Sequence, residues 1–315
     1  MNNLDDFLKE AGTVAVAGHI RPDGDCVGSC LAAYNYIKTY YPNVRVDLYL
    51  QEIPNIFKFM ARSEEILHDT STDNVYDLFL SLDCGDTGRL GGAAAIFDRA
   101  KKTVCVDHHI SNQSFADENY VFPDASSTSE LIYELLPKER LTKEIAACIY
   151  TGIVHDTGVF QYACTSPKTM EAAGTLMGLG IDYTRIVEET FYTKTYAQNQ
   201  IMACALLKSR LHLDGRCISS VITAEDMRRY GVLPKHLDGI VNQLRITRGV
   251  EAAIFLYEEE NGDFKVSMRS KPPVNVSEIA VKFGGGGHIR AAGCSVAGDA
   301  DAIVETIVKE VEERL

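Results

Sequence analysis

Apolar and polar positions alternate in two different ways along this chain. In the first half the apolar runs are short and continuous: Thr13 to Ala17 (TVAVA), Val44 to Leu50, Leu78 to Leu82 (LFLSL) and Thr103 to Val106 (TVCV). Runs of this length without polar alternation predict strands buried on both faces, and each is followed by a helical-period stretch or a polar loop. The pattern therefore predicts an α/β domain with a doubly wound, mostly parallel sheet. From Ile181 to Leu207 the chain becomes a long helical stretch rich in polar residues, and the domain junction is placed there. The expected division is residues 1–187, a helical linker over 188–207, and residues 208–315.

The second half predicts a smaller α/β domain with a mixed sheet. Cys217 to Thr223 reads as a strand and Leu237 to Ile246 as a helix. Glu251 to Tyr257 and Phe264 to Arg269 read as a hairpin turning at Asn261-Gly262. A helix from about Val276, the glycine run Gly284 to Gly287, a short strand through Cys294 to Val296 and a closing helix complete it.

Composition adds boundaries. With 315 residues, 46% hydrophobic, the chain can bury two cores. It has no apolar run long enough to span a bilayer, and Met1 to Gly12 carries acids where a signal peptide needs a basic flank, so a cytoplasmic protein is expected with no membrane partner. Nine cysteines, odd in number and without a C-x-x-C pair, read as small buried hydrophobes. A net charge of -13 argues against a protein that coats long nucleic acid, since such binding rests on many lysine and arginine contacts to phosphate. Short anionic substrates stay open.

Acids and histidines gather just after the predicted strands. His19, Asp23 and Asp25 follow the first strand, Asp83 closes the third, and Asp107, His108 and His109 follow the fourth. The helical stretch ending at Thr157-Gly158 delivers Asp156. In an open parallel sheet the carboxyl ends of the strands form one crevice, so these residues are expected to converge. Imidazole and carboxylate donors without thiolate suit manganese or magnesium. His19, Asp23 and Asp83 can form one cation site and Asp25, His108 and Asp156 another, with Asp83 as a bridge; a paired site of this kind serves phosphoester hydrolysis. Taken singly, an aspartate after a strand more often caps a helix. His155 reads as a supporting or structural residue, Asp86 and Arg89 as partners within a loop, and Ser126 to Thr128 as a helix cap.

The segments GHIRPDGD, SLDCGD, VDHH and HDTG resemble the four motifs of the DHH phosphoesterase family, and FGGGGHIRAAG resembles the signature of its DHH-associated C-terminal domain. The resemblance implies two Mn2+ (or Mg2+) ions on the ligands named above, with catalysis centred on Asp83 and His108, His109 near the substrate phosphate and Asp107 supporting it. It also implies a grip on the substrate by Arg269, Ser270, Gly285, Gly286, Gly287 and His288. The compact architecture is most similar to the oligoribonuclease (nanoRNase) branch. That branch acts on short RNA or DNA pieces and on dinucleotides such as pApA, and also removes phosphate from adenosine 3′,5′-bisphosphate (pAp). A homodimer is compatible with it. Gln161 departs from the arginine that several members carry there. A dinucleotide-specific phosphodiesterase shares the motifs; a family II pyrophosphatase is disfavoured by the GGGGH run, and a nucleotide-binding sensor by the complete ligand set.

Overall fold

A computed structural model describes residues 3–315 of the chain, so Met1 and Asn2 of the acidic opening fall outside it. The chain divides into two compact units, Met1–Thr193 and Lys194–Leu315. Among the described residues no helix is long and apolar enough to cross a membrane.

The first unit is built on five parallel strands: β1 (Thr13–Ala17), β2 (Arg45–Tyr49), β3 (Leu78–Leu82), β4 (Thr103–Asp107) and β5 (Glu118–Val121), in the order β2-β1-β3-β4-β5. Every residue of β3 and β4 is buried, which is why their sequences show no polar alternation. Alternate residues still face opposite layers. Val14, Val16, Leu80 and Val104 pack under the helices Gly24–Tyr40, Thr128–Leu135 and Lys143–Asp156. Ala15, Ala17 and Phe79 face Leu90, Ile96 and Phe97 on the other side. Each large apolar side chain so buried contributes about 1.5–3 kcal/mol.

The helices Gly24–Tyr40 and Lys143–Asp156 approach closely because glycines stand where they meet. A Cβ placed on Gly28 would lie 2.6 Å from the Cys148 carbonyl oxygen, and one on Gly152 would run into the Ser129 hydroxyl. Past Lys143–Asp156 the stretch expected as a linker is broken: a π-helical turn covers Glu188–Tyr192 and a separate helix covers Tyr196–Leu207.

The second unit carries a six-stranded mixed sheet of β6 (Arg210–His212), β7 (Cys217–Ile222), β8 (Ala252–Glu258), β9 (Phe264–Ser270), β10 (Gly286–His288) and β11 (Ala291–Val296), in the order β10-β11-β9-β8-β7-β6. Only β7 and β8 pair in parallel. One face packs on the helices Val276–Lys282 and Ala300–Glu312, the other on Tyr196–Leu207, Ala224–Tyr230 and Ile240–Arg245. The predicted helix Leu237 to Ile246 is shorter than expected, because Gly239 takes φ +86° before Ile240. The β8–β9 hairpin turns at Gly262 (φ +84°), as read from Asn261-Gly262.

The glycine run is partly a strand and not only a loop. Its reason is steric. A Cβ on Gly287 would lie 2.5 Å from the Ala291 carbonyl oxygen, and one on Gly285 would run into the Gly293 carbonyl, so side chains there would force β10 off β11. Gly286 has open space on its Cβ side.

Candidate metal centre

Strand order reverses at the β1/β3 boundary, and the site forms at the carboxyl ends of those strands and of β4. Gly18 leads from β1 to His19; Asp83 is the first residue after β3; Asp107 is the last of β4, with His108 and His109 next. Asp83 adopts φ +58°, a left-handed conformation that costs on the order of 1 kcal/mol or more for a residue with a side chain, and its N–H donates to Val106 O at 3.1 Å. His19, Asp25, Asp83 and Asp107 are all buried.

Two groups of donor atoms assemble. In the first, His19 Nε2 lies 3.4 Å from Asp83 Oδ2 and 3.6 Å from Asp23 Oδ2. His19 Nδ1 donates to the Ile20 carbonyl at 2.8 Å, which leaves Nε2 as the atom that faces the carboxylates. Asp23 divides its carboxylate: Oδ1 accepts the N–H groups of Asp25 and Cys26 and caps the helix Gly24–Tyr40, while Oδ2 faces His19. The capping reading and the ligand reading of Asp23 are thus both satisfied by one side chain. In the second group, His108 Nε2 lies 3.1 Å from Asp156 Oδ2, 3.7 Å from Asp83 Oδ1 and 4.0 Å from Asp25 Oδ2. Asp25, His108 and Asp156 offer three donor atoms within 4.8 Å of one another, and Asp83, with one oxygen toward each histidine, stands between the groups.

The electrostatics call for cations. Among the described residues the ion pairs of Asp23, Asp25, Asp83 and Asp156 are all with histidine, none with lysine or arginine. Burial, and after it the charges of Asp83 and Asp156, push the Asp25 carboxyl well above the usual range. Burial opposes a charge on His108, yet Asp156 and the other carboxylates overcome it and raise its pKa to about 10; burial likewise opposes a charge on His19, which Asp23 and Asp83 raise to about 11. With no cation bound, protonated imidazoles balance the carboxylates. A divalent ion on the same atoms would do so with both rings neutral.

His109 is placed differently. Its Nδ1 donates to Asp107 Oδ1 at 2.7 Å, and Asn112 Nδ2 donates to Asp107 Oδ2 at 2.7 Å. The bond to Asp107, against the opposing effect of burial, raises the His109 pKa. The ring is only partly buried.

Two supports, Thr128 and Asn112, escaped the sequence reading. Thr128 Oγ1 donates to Asp83 Oδ1 at 3.1 Å, while Ser127, within the expected cap, accepts the Glu130 N–H. Asn112, four positions past His108, gave no signal beyond its proximity. His155 bonds Thr190 Oγ1 at 2.9 Å and packs edge-on to Phe57 and Phe191, a supporting role for the helix end next to Asp156. Asp86 accepts the backbone N–H of Arg89 and so shapes its own loop.

The remaining expected residues lie in the second unit. His288 pairs with Ala291, and Ala291 with Arg269, so the three stand in one row across β10, β11 and β9. Residues directly opposite on paired strands project to the same face, which puts an imidazole and a guanidinium on either side of a methyl, roughly 10 Å apart at two strand spacings. Along β9 the same face shows Lys265 and Ser267, half-buried, while Val266 and Met268 point into the core. Ser270 is buried and donates its hydroxyl to the Val274 carbonyl at 2.6 Å.

Residues 13–153 match the DHH family, N-terminal domain, and residues 215–315 match the DHHA1 domain. The chain is 28% identical over 308 residues to the bifunctional oligoribonuclease and PAP phosphatase NrnA of Thermus thermophilus, covering 96% of this chain and 90% of that protein. It is 29% identical over 311 residues to the protein of the same name from Bacillus subtilis, covering 95% and 96%. The crystal structure of an exopolyphosphatase-related protein from Bacteroides fragilis superposes with a TM-score of 0.90 at 24% identity, over 98% of this chain and 94% of that one, and has the same fold.

Proposed function

The chain carries the N-terminal domain of the DHH family followed by a DHHA1 domain, and from that premise we propose that it is a metal-dependent phosphoesterase that hydrolyses short oligonucleotides, dinucleotides among them, and removes phosphate from pAp. The observation that carries the reading is the convergence of Asp23, Asp25, Asp83 and Asp156 on the Nε2 atoms of His19 and His108, with no ion pair to a lysine or arginine among the described residues. The relatives named oligoribonuclease and PAP phosphatase, matched along nearly their whole length, support the substrate class.

His19, Asp23 and Asp83 would hold one divalent ion and Asp25, His108 and Asp156 the other, with Asp83 bridging; manganese is our choice of ion, because imidazole sits among the carboxylates. Divalent ions held there would supply Lewis-acid stabilisation of the charge on a phosphoryl group. The protein's own part is orientation and proton supply. Asp107, itself fixed by Asn112, holds His109 with Nδ1 protonated and Nε2 outward, where it can donate to a phosphate oxygen. In the second unit His288 and Arg269 would bind the remaining phosphate or base of the nucleotide, the Arg269 fork suiting either.

A time course with 5′-labelled oligomers from dinucleotide to decanucleotide, alongside pAp, tests the reading. Fast conversion of the shortest oligomers and of pAp in the presence of manganese, and none after chelation, is the expected result. Preference for the longest oligomers, or turnover indifferent to chelators, would overturn it.

A further inference from the structure

The chain just after Asp156 turns the wrong way for its side chains. Gly158, Val159 and Phe160 take φ of +56°, +57° and +63° in succession, a left-handed turn that glycine enters freely and a β-branched valine rarely does. Hydrogen bonds and packing hold it. The Phe160 N–H donates to Thr157 Oγ1 at 3.0 Å, the N–H groups of Gln161 and Tyr162 both donate to the Thr157 carbonyl at 2.9 Å, and Val159 and Phe160 pack against the core of the first unit. Backbone strain persists only where the surroundings over-determine it, and such segments cluster at binding sites. What this one presents is Gln161 and Tyr162. Both side chains are exposed, and neither the Gln161 amide nor the Tyr162 hydroxyl has a hydrogen-bond partner among the described residues. The Tyr162 ring lies over Gly158, where a Cβ would come within 2.7 Å of three ring carbons. Gly158 is two residues past Asp156, no more than ~7.6 Å away between Cα atoms. The chain then folds back on the helix end, with Cys164 Sγ 3.9 Å from the Asp156 carbonyl oxygen.

Resting on the phosphoesterase reading above, we propose that Tyr162 and Gln161 receive the nucleobase of the nucleotide whose phosphate lies at the metal centre, the ring stacking on the base and the amide pairing with its edge. A π face is matched by every base, so stacking supplies affinity without choice. The amide supplies the choice. It sets one donor beside one acceptor, which fits N7 and the N6 amino group of adenine, whereas guanine shows two acceptors, N7 and O6. The contact therefore selects adenine. The strained turn serves it by fixing the backbone of both residues beforehand, so that little ordering is left to the moment of binding.

The experiment compares kcat/KM of the full chain with manganese on pAp, on guanosine 3′,5′-bisphosphate and on the abasic tetrahydrofuran 3′,5′-bisphosphate. Wild type should prefer the adenine compound to the guanine one by roughly five- to 150-fold, the range of one bidentate pair. Tyr162→Ala should slow both base-bearing substrates by about five- to 150-fold, the range for one stacked base, and the abasic one far less. Tyr162→Phe, which keeps the ring, should recover most of that loss. Gln161→Arg, whose fork matches the guanine edge, should reverse the base preference. Because the chain has no tryptophan, Tyr162→Trp places a single fluorescent reporter at the contact, and pAp should quench it where the abasic compound does not. Tyr162→Leu replaces the alanine variant if that does not fold. Wild-type rates that ignore the base, or equal losses on pAp and the abasic compound in Tyr162→Ala, overturn the contact and leave the metal-dependent reading intact. Turnover of none of the three by wild type would remove both.

Discussion

Asp25 and Thr128, 103 positions apart, meet through the Asp25 carboxylate and the Thr128 backbone N–H at 2.7 Å. The N–H of Ser129 reaches the other carboxylate oxygen at 2.8 Å, so a proposed ligand is clamped by the start of the helix Thr128–Leu135. A carboxylate at a helix N-terminus is held by charge-assisted bonds and by the helix dipole. The position of Asp25 consequently does not depend on a bound ion.

Chelation is therefore expected to empty the site without unfolding the chain. Turnover should disappear while the far-ultraviolet circular dichroism is kept, and the thermal midpoint should fall. At an ion concentration one hundred times Kd the difference in stability is about 2.7 kcal/mol. Manganese should restore activity better than magnesium or calcium; full recovery with calcium would contradict the nitrogen-containing ligand sets.

Asp83→Asn should separate catalysis from stability. Asparagine tolerates the positive φ that Asp83 adopts and relieves repulsion among the buried carboxylates, so the metal-free variant should be as stable as wild type or more stable by about 1 kcal/mol. Turnover should drop by orders of magnitude. A folded variant keeping more than about a tenth of the activity, a barrier change of only ~1.4 kcal/mol, would take Asp83 out of the centre of the site.

Replacing His288 or Arg269 by alanine should weaken kcat/KM for dinucleotides and pAp by roughly 1.5–3 kcal/mol, the worth of a charge-assisted hydrogen bond. A small chromogenic phosphodiester should be far less affected, and bound metal should be unchanged. Wild-type turnover of pAp and dinucleotides by both variants would end their assignment as substrate contacts.

The glycine run can be dissected position by position. Gly285→Ala and Gly287→Ala should each destabilise the second unit by roughly 1–3 kcal/mol or more, because the new methyl meets β11 backbone. Gly286→Ala meets nothing, so its melting curve should match wild type. If that variant nevertheless loses affinity for pAp, a ligand approaches the backbone at Gly286; if it binds normally, the run serves the hairpin alone.

Asp77 supplies a pH test distant from the metal ligands. Its carboxylate accepts from Lys101 Nζ at 2.7 Å and from Thr13 and Gly12 at the start of β1, and these bonds hold its pKa down at about 2. A depressed carboxyl contributes stability above its unfolded value near 3.8 and loses it as pH falls through the folded one. Asp77→Asn should therefore be less stable than wild type above pH ~4 by about 1 kcal/mol. The gap should close as pH approaches ~2, measured by urea unfolding.

The parts of the fold written in side chains were legible, and the parts written in their absence were not. β1, β3 and β4 announced themselves because a strand covered on both faces needs an unbroken apolar run, and the acids and histidines proposed as ligands announced themselves by following those runs. β5 was missed: ENYV lies half-buried at the sheet edge and carries neither a continuous run nor a clean alternation. β10 carries no strand signal, because glycine gives periodicity nothing to act on. Asn112 and Thr128 owe their roles to chain reversals that bring them beside Asp107 and Asp83, which no spacing rule encodes.

Gly28 and Gly152 set a length standard for the whole centre. Asp25 stands one turn before Gly28 on its helix and Asp156 one turn after Gly152 on the other, and a methyl on Gly152 would also come within 2.8 Å of Asp25 Oδ1. The gap between Asp25 and Asp156, which would close around a single cation, is thus gauged by the contact of two bare backbones. It is a dimension that can be miscalibrated from outside, by one carbon atom, with every proposed ligand still in the sequence.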